Sequence, residues 1–203
     1  HPATTSVALG VMHSCNPYFY HLFRRVIYNN SISNTFKASA FGLEKWHERV
    51  AKFGIGEQLG IDQPSERKGN LPGKSYYDKI YGENAWKFSN IYSISIGEGE
   101  ILITPLKMAN VAAIIANRGY FYTPHVIYGV GESKKLDAKY TTRHESGVAS
   151  RHFDPVIQGM IMAVTGGTAK KAQIQGVNVA GKTGTSQNKK GDDHSIFIGF
   201  APA

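Results

Sequence analysis

The sequence predicts an α+β fold, mostly helical, with one short antiparallel β-hairpin near its C-terminal end. Three observations carry this. Apolar residues recur at helical spacing behind start signals such as Asn16-Pro17, Thr104-Pro105 and Asp154-Pro155. Two extended runs, 177–186 and 195–200, flank a polar turn at 188–193, which is the pattern of a hairpin. The 203 residues, 41% of them apolar, suit one domain with a core of its own.

In chain order, Thr4-Thr5-Ser6 offers capping oxygens for a short helix carrying Val7, Leu9 and Val11 and stopping near His13. Asn16 as N-cap and Pro17 at the first helical position start an aromatic-rich helix through about Ile27. A polar loop is expected over 29–40. Leu43, Trp46, Val50 and Phe53 then mark a helix that Gly54 ends. Residues 55–73, rich in Gly, Pro and charge, read as a long irregular segment of the functional kind. A short helix follows over 76–81, with Tyr77, Ile80 and Tyr81 as its apolar side, and Trp86 and Phe88 as anchors beyond it.

The glycines in Ser95–Glu100 suggest backbone lying close to something. Thr104 caps a helix with Pro105 first and Leu106, Ala109, Ala113 and Ala116 inward, ending by Gly119. Residues 120–130 read as extended and 131–150 as an exposed polar linker. Asp154-Pro155 opens a helix with Val156, Met160 and Val164 on one face, which Gly166-Gly167 ends. Thr168-Ala169 starts a further short helix that stops by Gly176.

Composition narrows the function. No apolar run nears the roughly 20 residues that span a bilayer, and no signal-peptide pattern opens the chain. Cys15 is the only cysteine, so neither an internal disulfide nor a cysteine-based zinc site can form, and the eight histidines lack metal-ligand spacing. No metal or cofactor is implied. The net charge of +8 invites a nucleic-acid reading, but the cations are dispersed, with Lys134-Lys135, Lys170-Lys171 and Lys189-Lys190 among short pairs and no longer basic run. Nucleic acid is not expected as a partner. An anionic membrane or wall polymer suits that surface better, with a merely solvated face as the plain alternative.

The chemistry concentrates in Ala180-Gly181-Lys182-Thr183-Gly184-Thr185-Ser186. Lys182 supplies a point charge, and Thr183 and Thr185, two apart on a pleated strand, can turn their hydroxyls to one carboxylate. Gly184 between them leaves room for a ligand backbone to lie along the strand. The plain alternative is a lysine and two threonines on a solvated strand.

Lys182-Thr183-Gly184-Thr185 resembles the KTG motif of penicillin-binding proteins and serine β-lactamases, and Ser14-Cys15-Asn16 resembles their SxN motif. The order and wide separation of the two also match. Phe53-Gly54-Ile55-Gly56, Ser95-Ile96-Gly97-Glu98-Gly99 before Thr104-Pro105-Leu106, Gly166-Gly167-Thr168-Ala169 and Phe197–Pro202 extend the likeness over most of the chain. All look like class B penicillin-binding proteins, and Tyr18-Phe19-Tyr20 after the SxN triplet looks like the elongation-type penicillin-binding protein 2.

The resemblance implies a serine D,D-transpeptidase that cross-links peptidoglycan stem peptides and is acylated by β-lactam antibiotics. It implies that Ser14 relays a proton to the leaving amine, Asn16 hydrogen-bonds the acyl-side amide, and Lys182 holds positive charge near Ser14. Thr183, Gly184 and Thr185 would bind the terminal carboxylate and lie along the substrate, with the Thr185 N–H as half of the oxyanion hole. It further implies an N-terminal membrane anchor, a catalytic domain outside the cytoplasmic membrane, and a cell-wall elongation complex as a possible partner.

The family's nucleophile is the serine of an SxxK motif upstream of SxN, and only thirteen residues precede Ser14. The two SxxK matches, Ser65–Lys68 and Ser186–Lys189, fit neither its order nor its setting at a helix start. Residues 1–203 therefore read as an internal part of a transpeptidase domain, without its flanking strands and inactive alone. The hairpin, its edges unpaired, is then expected to be disordered, covered by a loop or paired with another copy. The other function class consistent with these motifs is a penicillin-recognising sensor or non-catalytic scaffold. A secreted β-lactamase fits the long loops less well.

Overall fold

The computed structural model describes residues 6–132, 135–188 and 190–203. Thr4, Thr5, Lys134 and Lys189, singled out above, lie outside them. The elements are α1 (Val7–Met12), α2 (Asn16–Ile27), α3 (Thr35–Ala51), α4 (Lys74–Tyr81), α5 (Phe88–Ile91), α6 (Pro105–Ala116), β1 (Tyr120–Tyr122), α7 (Ala138–Thr141), β2 (Arg143–Glu145), α8 (Asp154–Gly166), β3 (Ala180–Ser186) and β4 (His194–Phe200). Among the described residues no helix is long and apolar enough to cross a membrane.

Local chemistry explains most helix starts. Ser6 Oγ accepts from the Leu9 N–H at α1, and Thr104 Oγ1 from the Lys107 N–H at α6, where Pro105 stands in the first turn. The polar loop expected over 29–40 is shorter than that. Asn34 caps α3 by accepting from the Phe36 and Lys37 N–H groups, so the helix begins at Thr35. Asn16 does not cap α2. Cys15 holds the cap position without a capping bond from its side chain to the first turn, and Asn16 is the first helical residue.

The helices form one apolar cluster in which Phe23 and Ile27 of α2, Leu43 of α3 and Tyr77 of α4 surround Trp86, Ile91 and Ile94. Ile80 and Tyr81 are exposed, so Tyr77 alone of the predicted α4 face is core. A second cluster joins Ile114 of α6, Phe121 of β1 and Ile157 of α8, and a third joins Val11, Met160 and Ala180 across α1, α8 and β3.

The inward face of α6 is not the alanine stripe. Ala109 and Ala113 are exposed, while Lys107, Asn110, Ala112 and Ile114 are buried. Lys107 is 0% exposed and its ammonium lies 3.4 Å from the Glu66 carboxylate, itself only 7% exposed. It also donates to the Glu57 carbonyl. Glu66 accepts the N–H groups of Leu59 (2.6 Å), Gly60 (2.9 Å) and Ile61 (3.4 Å). The irregular segment 55–73 is thus clamped to α6, and Asn70 bridges to Leu102 on the chain leading into that helix.

The expected linker over 131–150 contains α7 and β2, and β2 pairs antiparallel with β1. Strands β3 and β4 form the predicted hairpin, with Lys182 opposite Ile198 and Thr185 opposite Ser195. Residue pairing puts Lys182, Gly184, Ile196 and Ile198 on one face and Thr183, Thr185 and Phe197 on the other. The hairpin rests on helices, β3 on α8 and β4 on α6.

Candidate functional site

Three segments meet at the site: the turn between α1 and α2, the turn after α8, and β3. Close backbone approach brings them together. At Gly159 a Cβ would come within 2.7 Å of the Ala8 carbonyl, and at Gly167 within 2.6 Å of the Met12 carbonyl and 2.8 Å of Ala163 Cα, so glycine is what lets α8 and its exit turn seat against α1. The Thr168 N–H reaches the Met12 carbonyl at 3.4 Å. Ser14 itself sits at φ 50°, in the left-handed region unusual for a side-chain-bearing residue.

Within this corner the Lys182 ammonium donates to Ser14 Oγ and, at 2.6 Å, to the Thr183 carbonyl. Ser14 Oγ lies 3.3 Å from Thr168 Oγ1, and Thr183 Oγ1 donates to Thr168 Oγ1 at 3.1 Å. The result is a continuous chain of one ammonium and three hydroxyls. Burial pushes the Lys182 amine below an ordinary lysine's pKa, because the half-buried ammonium has lost water.

One face of β3 looks into a cleft of about 430 Å3 lined by Lys182 to Ser186, the 96–98 and 101–103 segments, Ile55, and Met108 and Val111 of α6. The far wall is mostly isoleucine and leucine, with Glu98 the one ionisable residue on it among those described. Gly184 is exposed, and a Cβ there would meet only Ile196 Cβ at an ordinary 3.7 Å. Packing does not require a glycine at that position.

Of the residues singled out in the sequence, Ser14, Lys182 and Thr183 come together, and Gly184 and Thr185 lie beside them on the cleft wall. Asn16 and Thr185 are exposed and join none of these bonds. Because Cys15 takes the cap position, the Asn16 amide is not used up in starting α2. Thr168 was missed as a site residue. Its signal was a hydroxyl directly after a Gly-Gly helix end. Of the two SxxK serines, Ser65 lies in the irregular segment at φ 69° and Ser186 is the last residue of β3, so neither stands at a helix start. Among the described residues no cluster of His, Cys, Asp and Glu could hold a metal. The chemistry on offer is proton donation from Lys182 and its row of hydroxyls, beside a strand that carries two threonines.

A family profile described as the penicillin binding protein transpeptidase domain matches residues 2–203. The peptidoglycan D,D-transpeptidase MrdA of Acinetobacter baumannii is 28% identical over 96% of this chain and 29% of its own length. The Escherichia coli K12 protein of the same name is 27% identical over 79% of this chain and 28% of its length. The chain therefore spans less than a third of these curated relatives. Among solved structures, Pseudomonas aeruginosa PBP2 in complex with WCK 5153 superposes with a TM-score of 0.76 at 27% identity, covering 98% of this chain and 41% of that one.

Proposed function

The chain belongs to the penicillin-binding protein transpeptidase domain family, and from that premise we propose that its site is the leaving-group and carboxylate end of a D,D-transpeptidase acting on peptidoglycan stem peptides. The observation that carries this is the Lys182–Ser14 contact beside half-buried Thr183 and the exposed Gly184 and Thr185.

Acyl transfer needs a proton on the nitrogen that leaves. The Ser14 hydroxyl gives its proton to the departing D-alanine amine, and the Lys182 ammonium restores it. Desolvation of Lys182 helps, since it makes the ammonium a stronger acid. The Thr185 hydroxyl donates to the terminal carboxylate, beside Thr183, whose own proton goes to Thr168; the Thr185 N–H serves the developing oxyanion, and the Asn16 amide holds the acyl-side amide. Neither SxxK serine stands at a helix start, so this reading assigns the nucleophile to neither. Attachment to a membrane, work on the outer side of the cytoplasmic membrane and membership of an elongation complex rest on the resemblance to MrdA-type relatives. The same holds for acylation by β-lactams.

A second reading is favoured by the same contact. A serine bonded to a desolvated lysine is also the arrangement of a serine–lysine nucleophile pair, with Ser14 attacking. One experiment separates the two: the natural protein is incubated with a fluorescent penicillin and the adduct is mapped by peptide mass, with a peptide ending in D-Ala-D-Ala as competitor. The transpeptidase reading expects one adduct, on a serine other than Ser14, slowed by the peptide. No adduct would refute it, and an adduct on Ser14 would select the second reading.

A further inference from the structure

We infer that Thr168 is a positioning residue whose hydroxyl turns the Ser14 hydroxyl so that its proton is left free for the leaving amine. The inference rests on the transpeptidase reading and adds to it a group outside the KTG and SxN motifs.

Counting donors carries the argument. An ammonium only donates, so Ser14 Oγ must accept from Lys182. Thr183 Oγ1 donates to Thr168 Oγ1. Thr168 therefore already accepts one bond, and the 3.3 Å contact to Ser14 can run either way. If Ser14 donated to Thr168, its proton would point away from the reaction. If Thr168 donates, Thr183 and Thr168 each give one bond and pass the polarisation on to Ser14, and such rows strengthen one another. Both acceptor positions of Ser14 are then filled, and its proton is the one free to move.

The backbone fixes this arrangement independently. The Thr168 N–H reaches the Met12 carbonyl, Gly167 permits an approach that any Cβ would block, and Ser14 holds a left-handed conformation. The turn after α8 is thereby registered against the turn that carries Ser14, with the two hydroxyls facing.

The proton balance closes. As the carbon–nitrogen bond breaks, the Ser14 O–H proton passes to the leaving nitrogen and a Lys182 N–H proton passes to Ser14. Lys182 is left as a neutral amine. It is recharged when the incoming acceptor amine, having attacked the acyl group, gives up its own proton. Thr168 is unchanged throughout, and its donated bond steadies negative charge on Ser14 Oγ between the two transfers.

The test uses the natural protein and its acylation by a fluorescent penicillin, resolved into a binding constant and a first-order acylation rate. Thr168→Val keeps the shape and removes the hydroxyl, while Thr168→Ser keeps the hydroxyl. The expected result is a loss of about tenfold in the first-order rate for Thr168→Val, part of the range set by general acid catalysis, with the binding constant nearly unchanged and Thr168→Ser near wild type. In a Ser14→Ala background Thr168→Val should have no further effect, because Thr168 acts through Ser14. The inference is overturned if Thr168→Val matches wild type, if both variants are equally slow, if the loss lies in binding, or if the two substitutions add. A wild-type protein that takes up no penicillin would instead bring down the transpeptidase reading on which the inference stands.

Discussion

Lys182 is pulled two ways, since burial disfavours its charge while its proposed task needs the ammonium. Its folded pKa lies below its unfolded one, so between the two values the unfolded chain binds the extra proton and folding stability rises with pH. The acylation rate should fall over that same window, because the ammonium is the donor, and the alkaline limb should lie below an ordinary lysine's titration. Denaturation midpoints of wild type against Lys182→Met, read beside the pH–rate profile, check this; rate and relative stability rising together would contradict it. Gly184 makes a second case at this scale. Packing leaves room for a methyl group there, so Gly184→Ala should change stability by less than about 0.5 kcal/mol while weakening binding of a D-Ala-D-Ala peptide. Thermal melts and peptide titration give the two numbers. The polar strand residues and Ser14 were legible from motif and order alone. Thr168 was not, because its role comes from a contact 154 positions away along the chain.

At the scale of elements, local signals served where they are strong: a capping hydroxyl at α1 and α6, a proline in the first turn of α8, and a polar turn in the hairpin. They failed where tertiary contacts decide. On α6 the helical spacing offered an alanine face, yet the helix buries Lys107, because the Glu66 carboxylate awaits it in the irregular segment. Burial pushes the Glu66 carboxyl up, but the Leu59 and Gly60 N–H groups and Lys107 outweigh that and hold it below the usual carboxylate range. Its contribution to stability is therefore present above the ordinary glutamate pKa and lost as pH falls through the lowered folded value. Removing its partner strands a buried carboxylate. Lys107→Met should cost about 3 kcal/mol in chemical denaturation, and a cost below about 1 kcal/mol would show that the three backbone donors suffice alone. No pattern within 55–73 announces this clamp. It depends on a residue forty-one positions further along.

The whole molecule places its reactive corner where three structural units meet: the α1–α2 turn, the exit of α8, and a hairpin supported by α8 and α6. The α+β class and the hairpin were visible in the sequence through periodicity and turn composition. The β1–β2 pair was not, because β2 lies in a stretch too polar to signal a strand. The hairpin, whose unpaired edges led to the expectation that it is disordered, covered by a loop or paired with another copy, rests on α8 and α6. Its proposed role depends on Lys182 supplying the proton that Ser14 passes on. The measurement that tests this most directly is intact mass of the natural protein against time with a fluorescent penicillin, wild type beside Lys182→Ala. The account predicts one adduct per wild-type molecule and a loss of about 100-fold or more in rate for the variant, the range of general acid catalysis. Equal rates for the two proteins would contradict it.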